Sequence, residues 1–270
     1  MAREDLILNS ETASGREPSE NIDIALRKAI ADLQANFFDL DEGRINYGAV
    51  RGTSQFNSYV RLAGFLKKYD LKSLRDRNQR LAFWINLYNT MVVHGVVGLG
   101  IKQSVKETRG FFNRVKYDIG GYLFSLNDVE HGILRGNRRI PHRPWRAFNR
   151  DDPRCDFIIS PMDVRIHFTL VCGSQSCPPI GFYSADGIEE QLELATQTFI
   201  NSKEVEIIPE GKILRISRIF KWYRPDFGRR DDLVQFLIRY LDAGEKKEFL
   251  QNNANRIRIR YNHYDWSLNH

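Results

Sequence analysis

Between Leu81 and Leu99 the chain is apolar at nearly every position, broken chiefly by Asn86, Asn89 and His94. A helix that is apolar all round cannot lie on a surface and has to be wrapped by other elements. The spacing predicts that helix over Asp76–Val93, with Leu81, Trp84, Ile85, Tyr88 and Val92 as its stripe. It is not a membrane span, because no run of about 18 apolar residues is present. Asn86 and Asn89 are three apart, so they share a face, and buried amides must find partners. Two readings follow. The amides form a polar network that pins a loop, or they hold a catalytic histidine or a ligand.

The rest of the chain is expected to build around this helix. Residues 1–20 are polar and read as a disordered leader, and 21–270 read as a single globular domain with no linker and no internal repeat. Apolar spacing predicts helices over 21–38, Ser54–Lys68, Ile188–Asn201, Asp232–Asp242 and Glu245–Asn252. Asp41–Gly43 reads as a turn. Tyr117–Phe124 around Gly120 and Gly121 reads as a hairpin, as does Val205–Ile216 around Pro209–Gly211. Ser125 and Asp128 have capping-box spacing and open a helix through Arg135 that closes at Gly136. The stretch 137–162 is rich in Arg and Pro and reads as a long loop. Helices first, then hairpins and helices mixed, predict α+β: N-terminal helices packed on a mostly antiparallel sheet, with one central buried helix.

Val164–Val171 reads as a strand that breaks at Gly173 into a polar loop carrying Cys172 and Cys177. Strand alternation then puts His167 on one face and Cys172 on the other, with Ile166, Phe168 and Leu170 as the core side. On that reading Cys172 is an inert core residue and Cys177, stiffened by Pro178 and Pro179, is the partner for His167. The cysteine count is three and no secretory signal is visible, which favours free thiols, a reducing compartment and a cytoplasmic location.

Several segments together resemble the family catalogued as "domain of unknown function 547": Phe56–Val60, Ala82–Asn89, Leu126–Arg135, Arg165–Phe168 through Cys177–Pro179, and Tyr264–Asn269. The resemblance runs from about 47 to 269. The family is uncharacterised, so the resemblance implies an enzyme and an interaction domain equally.

The candidate catalytic residues are His167, Cys177, Cys172, Glu130, His131, Asn86 and Asn89, expected to converge near the end of the 164–171 segment. His131 and Arg135 at i and i+4 face one way on an ideal helix, and Glu130 is turned about 100° from them. Nucleophile, base and orienting group would make a thiol-dependent hydrolase or acyl transferase with papain- or transglutaminase-like logic. The cysteines follow the histidine in the chain, opposite to the usual order in such enzymes. The alternatives are a non-catalytic protein-interaction module with a structural polar cluster, and a zinc site built on His167, Cys172 and Cys177. No cofactor is expected, and no phosphate loop, Gly-x-Ser-x-Gly elbow or His-Glu-x-x-His is present.

The net charge of +6 is scattered. Its densest groups are Arg135–Arg146 and Arg256–Arg260, where alternation makes a solvated strand face. Nucleic acid is therefore not the expected partner, and a substrate or protein partner is left unnamed. The terminal Asp265, Trp266 and Asn269 are expected to latch the C-terminus, with Trp266 in the core.

Overall fold

The computed structural model describes residues 4–10, 22–39 and 44–270. The expected turn at Asp41–Gly43 lies outside the described residues. The protein is α+β. Its contacts divide into two compact units: residues 1–163, 170–188 and 266–270 form one, and 164–169 with 189–265 form the other. Each unit is discontinuous in sequence, so no single linker separates them.

The first unit holds helices α1 (Ile22–Phe37), α2 (Tyr47–Val50), α3 (Ser54–Phe65), α4 (Arg77–Gly98) and α5 (Phe111–Arg114). Its strands are β1 (Leu6–Ile7), β2 (Phe38–Asp39), β3 (Arg44–Ile45), β4 (Val115–Ile119) and β5 (Tyr122–Ser125). Helix α4 is the expected buried helix. Asp76 caps it by accepting the Gln79 N–H at 2.8 Å, and every residue from Leu81 to Val97 is buried. β4 and β5 form the expected hairpin, with both turn glycines at positive φ, the conformation a two-residue turn of this kind requires. β1 comes from the segment expected as a leader. It pairs in parallel with β4, and Asn9 fastens it by bonding Ala63 O, Asp118 O and Asp118 N at 2.8–3.0 Å.

The second unit holds α6 (Ile188–Ile200), α7 (Ile219–Trp222), α8 (Arg230–Tyr240) and α9 (Glu245–Asn253), with β6 (Val205–Ile208), β7 (Ile213–Ile216) and β8 (Arg258–Tyr261). β6 and β7 are antiparallel and β8 joins β7 in parallel. Arg258 and Arg260 are exposed while Ile257 is buried, as the alternation predicts. Phe168, Phe199, Phe220, Phe227 and Phe236 form an aromatic cluster at its centre.

One expected element is corrected. Val164–Phe168 is a 3-10 turn, not a strand, and 169–172 runs on without regular structure. Thr169 closes the turn by donating both its N–H and its hydroxyl to Ile166 O. Strand alternation marks one buried and one solvated face. Here Ile166 through Val171 are all buried, so nothing selects a strand.

Candidate functional site

The sequence-chosen residues fall into four local groups. The first is the buried amide pair on α4. Asn86 accepts the Tyr183 N–H at 2.9 Å and donates to Tyr183 O at 2.8 Å, so both ends of the amide serve one backbone residue. Asn89 Oδ1 accepts the Val171 N–H at 3.0 Å, and its Nδ2 lies 3.5 Å from Gly181 O. The two amides therefore grip the chain on both sides of the cysteine loop.

That loop is the second group. Cys172 and Cys177 are joined as a disulfide, which corrects both the free-thiol expectation and the buried, inert Cys172. Gly173 at φ +77° and a Cys177 N–H to Ser174 O bond of 3.0 Å fold the loop back, bringing the two Cα atoms to 6.2 Å, within disulfide reach. Three cysteines with one pair leave Cys155 as the free thiol. Burial and the nearby Asp152 push its pKa up. Cys177 Sγ accepts the Cys172 N–H at 2.8 Å, and the Ser174 hydroxyl lies 3.0 Å from Cys172 Sγ and 3.6 Å from Cys177 Sγ.

The C-terminal tail clasps the same loop. Gln175 N donates to Ser267 O at 2.9 Å, Gln175 Nε2 donates to Leu268 O at 3.0 Å, and Asn269 N donates to Gly173 O at 3.2 Å. Asn269 Oδ1 in turn accepts the Tyr47 hydroxyl at 2.9 Å. The expected latch exists, but Leu268 and Asn269 make it. Trp266 is only half-buried, with Lys106 Nζ 4.3 Å from its ring centre.

The third group is Glu130, His131 and Arg135. The predicted capping box forms: Ser125 N donates to Asp128 Oδ2 at 2.9 Å, and Asp128 N donates to Ser125 Oγ at 3.1 Å. The turns it opens, Asp128–Leu134, are wound as a π-helix, with Arg135 N bonded to Glu130 O. This corrects the ideal-helix placement of Glu130. Its Oε1 lies 3.6 Å from His131 Nδ1, and Arg135 Nη1 lies 3.0 Å from the same nitrogen. Single π-helical turns inside a helix recur at functional sites. Tyr88 of α4 donates its hydroxyl to Glu130 Oε2 at 3.1 Å. Arginine has only donors, so its contact puts the ring lone pair on His131 Nδ1 and the proton on Nε2. In this state His131 is a donor-type histidine.

His167 belongs to the second unit and has the opposite electronics. Its Nε2 lies 2.9 Å from Asp226 Oδ2, both side chains are 1% exposed, and the ring stacks on Tyr223 with centroids 4.1 Å apart. A carboxylate on one ring nitrogen fixes the proton there and raises the basicity of the other, the arrangement of a general base. Sequence reasoning missed Asp226 because it lies 59 residues away in a 3-10 turn, Arg224–Phe227, with no local signal. Tyr88 was read as part of an apolar stripe, which hid its hydroxyl.

A zinc site has little to stand on. Cys172 and Cys177 bond each other, and among the described residues no group of three or more His, Cys, Asp and Glu side chains could hold a metal ion. No helix among the described residues is long and apolar enough to cross a membrane.

These features define an α+β protein built on a buried, amide-bearing helix that holds a paired-cysteine loop. Residues 71–200, about half of the chain, match the family model described as "Protein of unknown function, DUF547", and over that stretch the chain belongs to this family. The match takes in α4, the π-helical turn and the cysteine loop. The similar segments at Phe56–Val60 and Tyr264–Asn269 lie outside it. No curated protein and no solved structure matches the chain.

Proposed function

We propose that the cysteine loop is a thiol site, with Cys177 of the reduced loop as the nucleophile of a thiol-dependent acyl transfer or hydrolysis. The observation that carries this reading is the Cys172 N–H aimed at Cys177 Sγ at 2.8 Å, with the Ser174 hydroxyl within reach of both sulfurs. Hydrogen bonds to the charged form lower a thiol's pKa, and the thiolate is the reactive species. Asn86 and Asn89 are positioning residues that fix the loop's two ends. His131, protonated on Nε2, suits the role of a donor to a developing oxyanion. In the disulfide form Cys177 cannot attack, so an external dithiol must first reduce the pair by exchange, leaving as its own disulfide.

A second reading is favoured by a different observation. The loop's backbone is tied by Asn89 and by the C-terminal tail, which is what a structural staple in a non-catalytic interaction module would need.

Alkylation of the reduced protein across pH, read by peptide mass spectrometry, separates the two. The thiol-site reading expects Cys177 to react with a midpoint well below the ordinary thiol value of about 8.5, with Cys155 as the slow internal control. An activated ester should leave its acyl group on the Cys177 peptide. A parallel series on His131→Gln shows whether the midpoint depends on that histidine. A Cys177 profile no lower than that of Cys155, with no acyl adduct in any series, favours the staple.

A further inference from the structure

On the far side of α4 from the cysteine loop lies a cavity of about 320 Å³, bounded by α1, α3, α4 and residues 69–74 and 184–186, all within the first unit. Its size is at the lower end of small-molecule sites, about 300–1,000 Å³. At about 100° per residue, Phe83, Asn86 and Thr90 of α4 share the cavity face. Tyr88, which reaches Glu130, and Val92, which packs on Gly173, lie about half a turn away. The helix therefore stands between the cavity and the Tyr88 and Val92 face, and Asn86 on the cavity side is the one thiol-site residue in the wall.

The chemistry of the cavity has two parts. Three of the polar side chains inside are already committed. Asn86 is spent on Tyr183, the Thr90 hydroxyl donates to Asn86 O at 2.6 Å, and the Tyr59 hydroxyl is bonded to that of Tyr117 at 2.7 Å. The apolar part of the wall includes Tyr69 and Phe83, stacked in parallel with centroids 5.2 Å apart. Flat aromatic walls of this kind suit a planar ring. At the mouth stand two exposed charges of opposite sign, Arg27 and Asp186, and neither is engaged in an ion pair among the described residues.

We infer that this cavity binds a small zwitterion of the amino-acid type, with an aromatic or bulky apolar side chain inside, its carboxylate on Arg27 and its ammonium on Asp186. The apolar part of the wall around Tyr69 and Phe83 takes the side chain, and each head-group charge has one counter-charge among the lining residues. The binding is separate from the thiol chemistry and needs neither cysteine. It does touch the same chain, because Asn86 in the cavity wall holds Tyr183 just before Ser184–Asp186.

Calorimetric titration of the full chain with three probes tests this: L-phenylalanine, phenethylamine, which lacks the carboxylate, and 3-phenylpropanoate, which lacks the amine. Phenylalanine should bind saturably, and each analogue about tenfold more weakly, the worth of one charge-assisted contact. Arg27→Ala should weaken phenylalanine and phenylpropanoate and leave phenethylamine unchanged. Asp186→Ala should do the mirror image. Both positions are exposed, so both variants keep the fold. No saturable binding of any of the three at millimolar concentration, or affinities that neither variant moves, overturns the inference. Repeating the wild-type titration on reduced, alkylated protein should give the same affinity, which keeps this result independent of the thiol reading.

Discussion

Helix α4 is buried from Leu81 to Val97 and the segment Val164–Val171 from Ile166 to Val171, and both are rich in apolar residues. One takes the structure its sequence predicts and the other does not. In α4 the signals agree at every level: an Asp76 cap, good helix length and a polar group wherever a partner waits. In 164–177 the pattern resembles a strand over eight residues, yet six of those residues, 164–169, belong to the second unit and the rest to the first. Alternation reports a half-buried sheet face. It reports nothing when every side is buried, and tertiary contacts then choose the backbone. A local pattern is thus decisive only where a single environment spans its whole length.

The largest effect should come from the segment whose form is set by tertiary contacts. Phe168→Ala empties the centre of the Phe199, Phe220, Phe227 and Phe236 cluster and should cost about 3–5 kcal/mol in urea unfolding. A loss below about 1 kcal/mol would mean that the 3-10 turn is locally determined, and the comparison would fail.

The burial of α4 has its own signature in pH. His94 is buried against Phe56, Tyr59 and Tyr117, and burial pushes its pKa down to about 4. The unfolded chain takes up this proton near pH 6.5, before the folded one does. Stability is therefore full above about pH 6.5 and falls as pH drops towards 4, by about 3 kcal/mol in all. Chemical unfolding at a series of pH values should show that slope, and His94→Gln should remove it from a lower starting stability. An unchanged slope in the variant would mean that α4 is wetter at this turn than its packing implies.

The smallest effect tests the local signal alone. Asp76→Ala removes the cap that accepts the Gln79 N–H and should cost about 1 kcal/mol. A much larger loss would show that even α4 depends on one terminal contact.

Much of the architecture was legible because it is written in short-range chemistry. The Gly120–Gly121 turn, the Ser125–Asp128 box and the arginine alternation before Tyr261 all stand as read. The candidate site was legible in its membership but not in its pairings. Glu130 and His131 are adjacent in sequence, yet the π-helical winding that sets Glu130 and Arg135 on one ring nitrogen leaves no mark in residue spacing. Asp226 reaches His167 across 59 residues. The disulfide depends on the fold-back at Gly173 and on the clasp of residues 267–269, which an odd cysteine count does not reveal.

The central claim is that the loop's two sulfurs are paired and held ready for thiol chemistry. Alkylating the native protein in denaturant without reductant, then digesting it, tests this most directly. The account predicts one alkylated cysteine, Cys155, and a Cys172–Cys177 link that yields two further alkylations once reductant is added. Three alkylated cysteines without reductant, in protein purified under air, would contradict it.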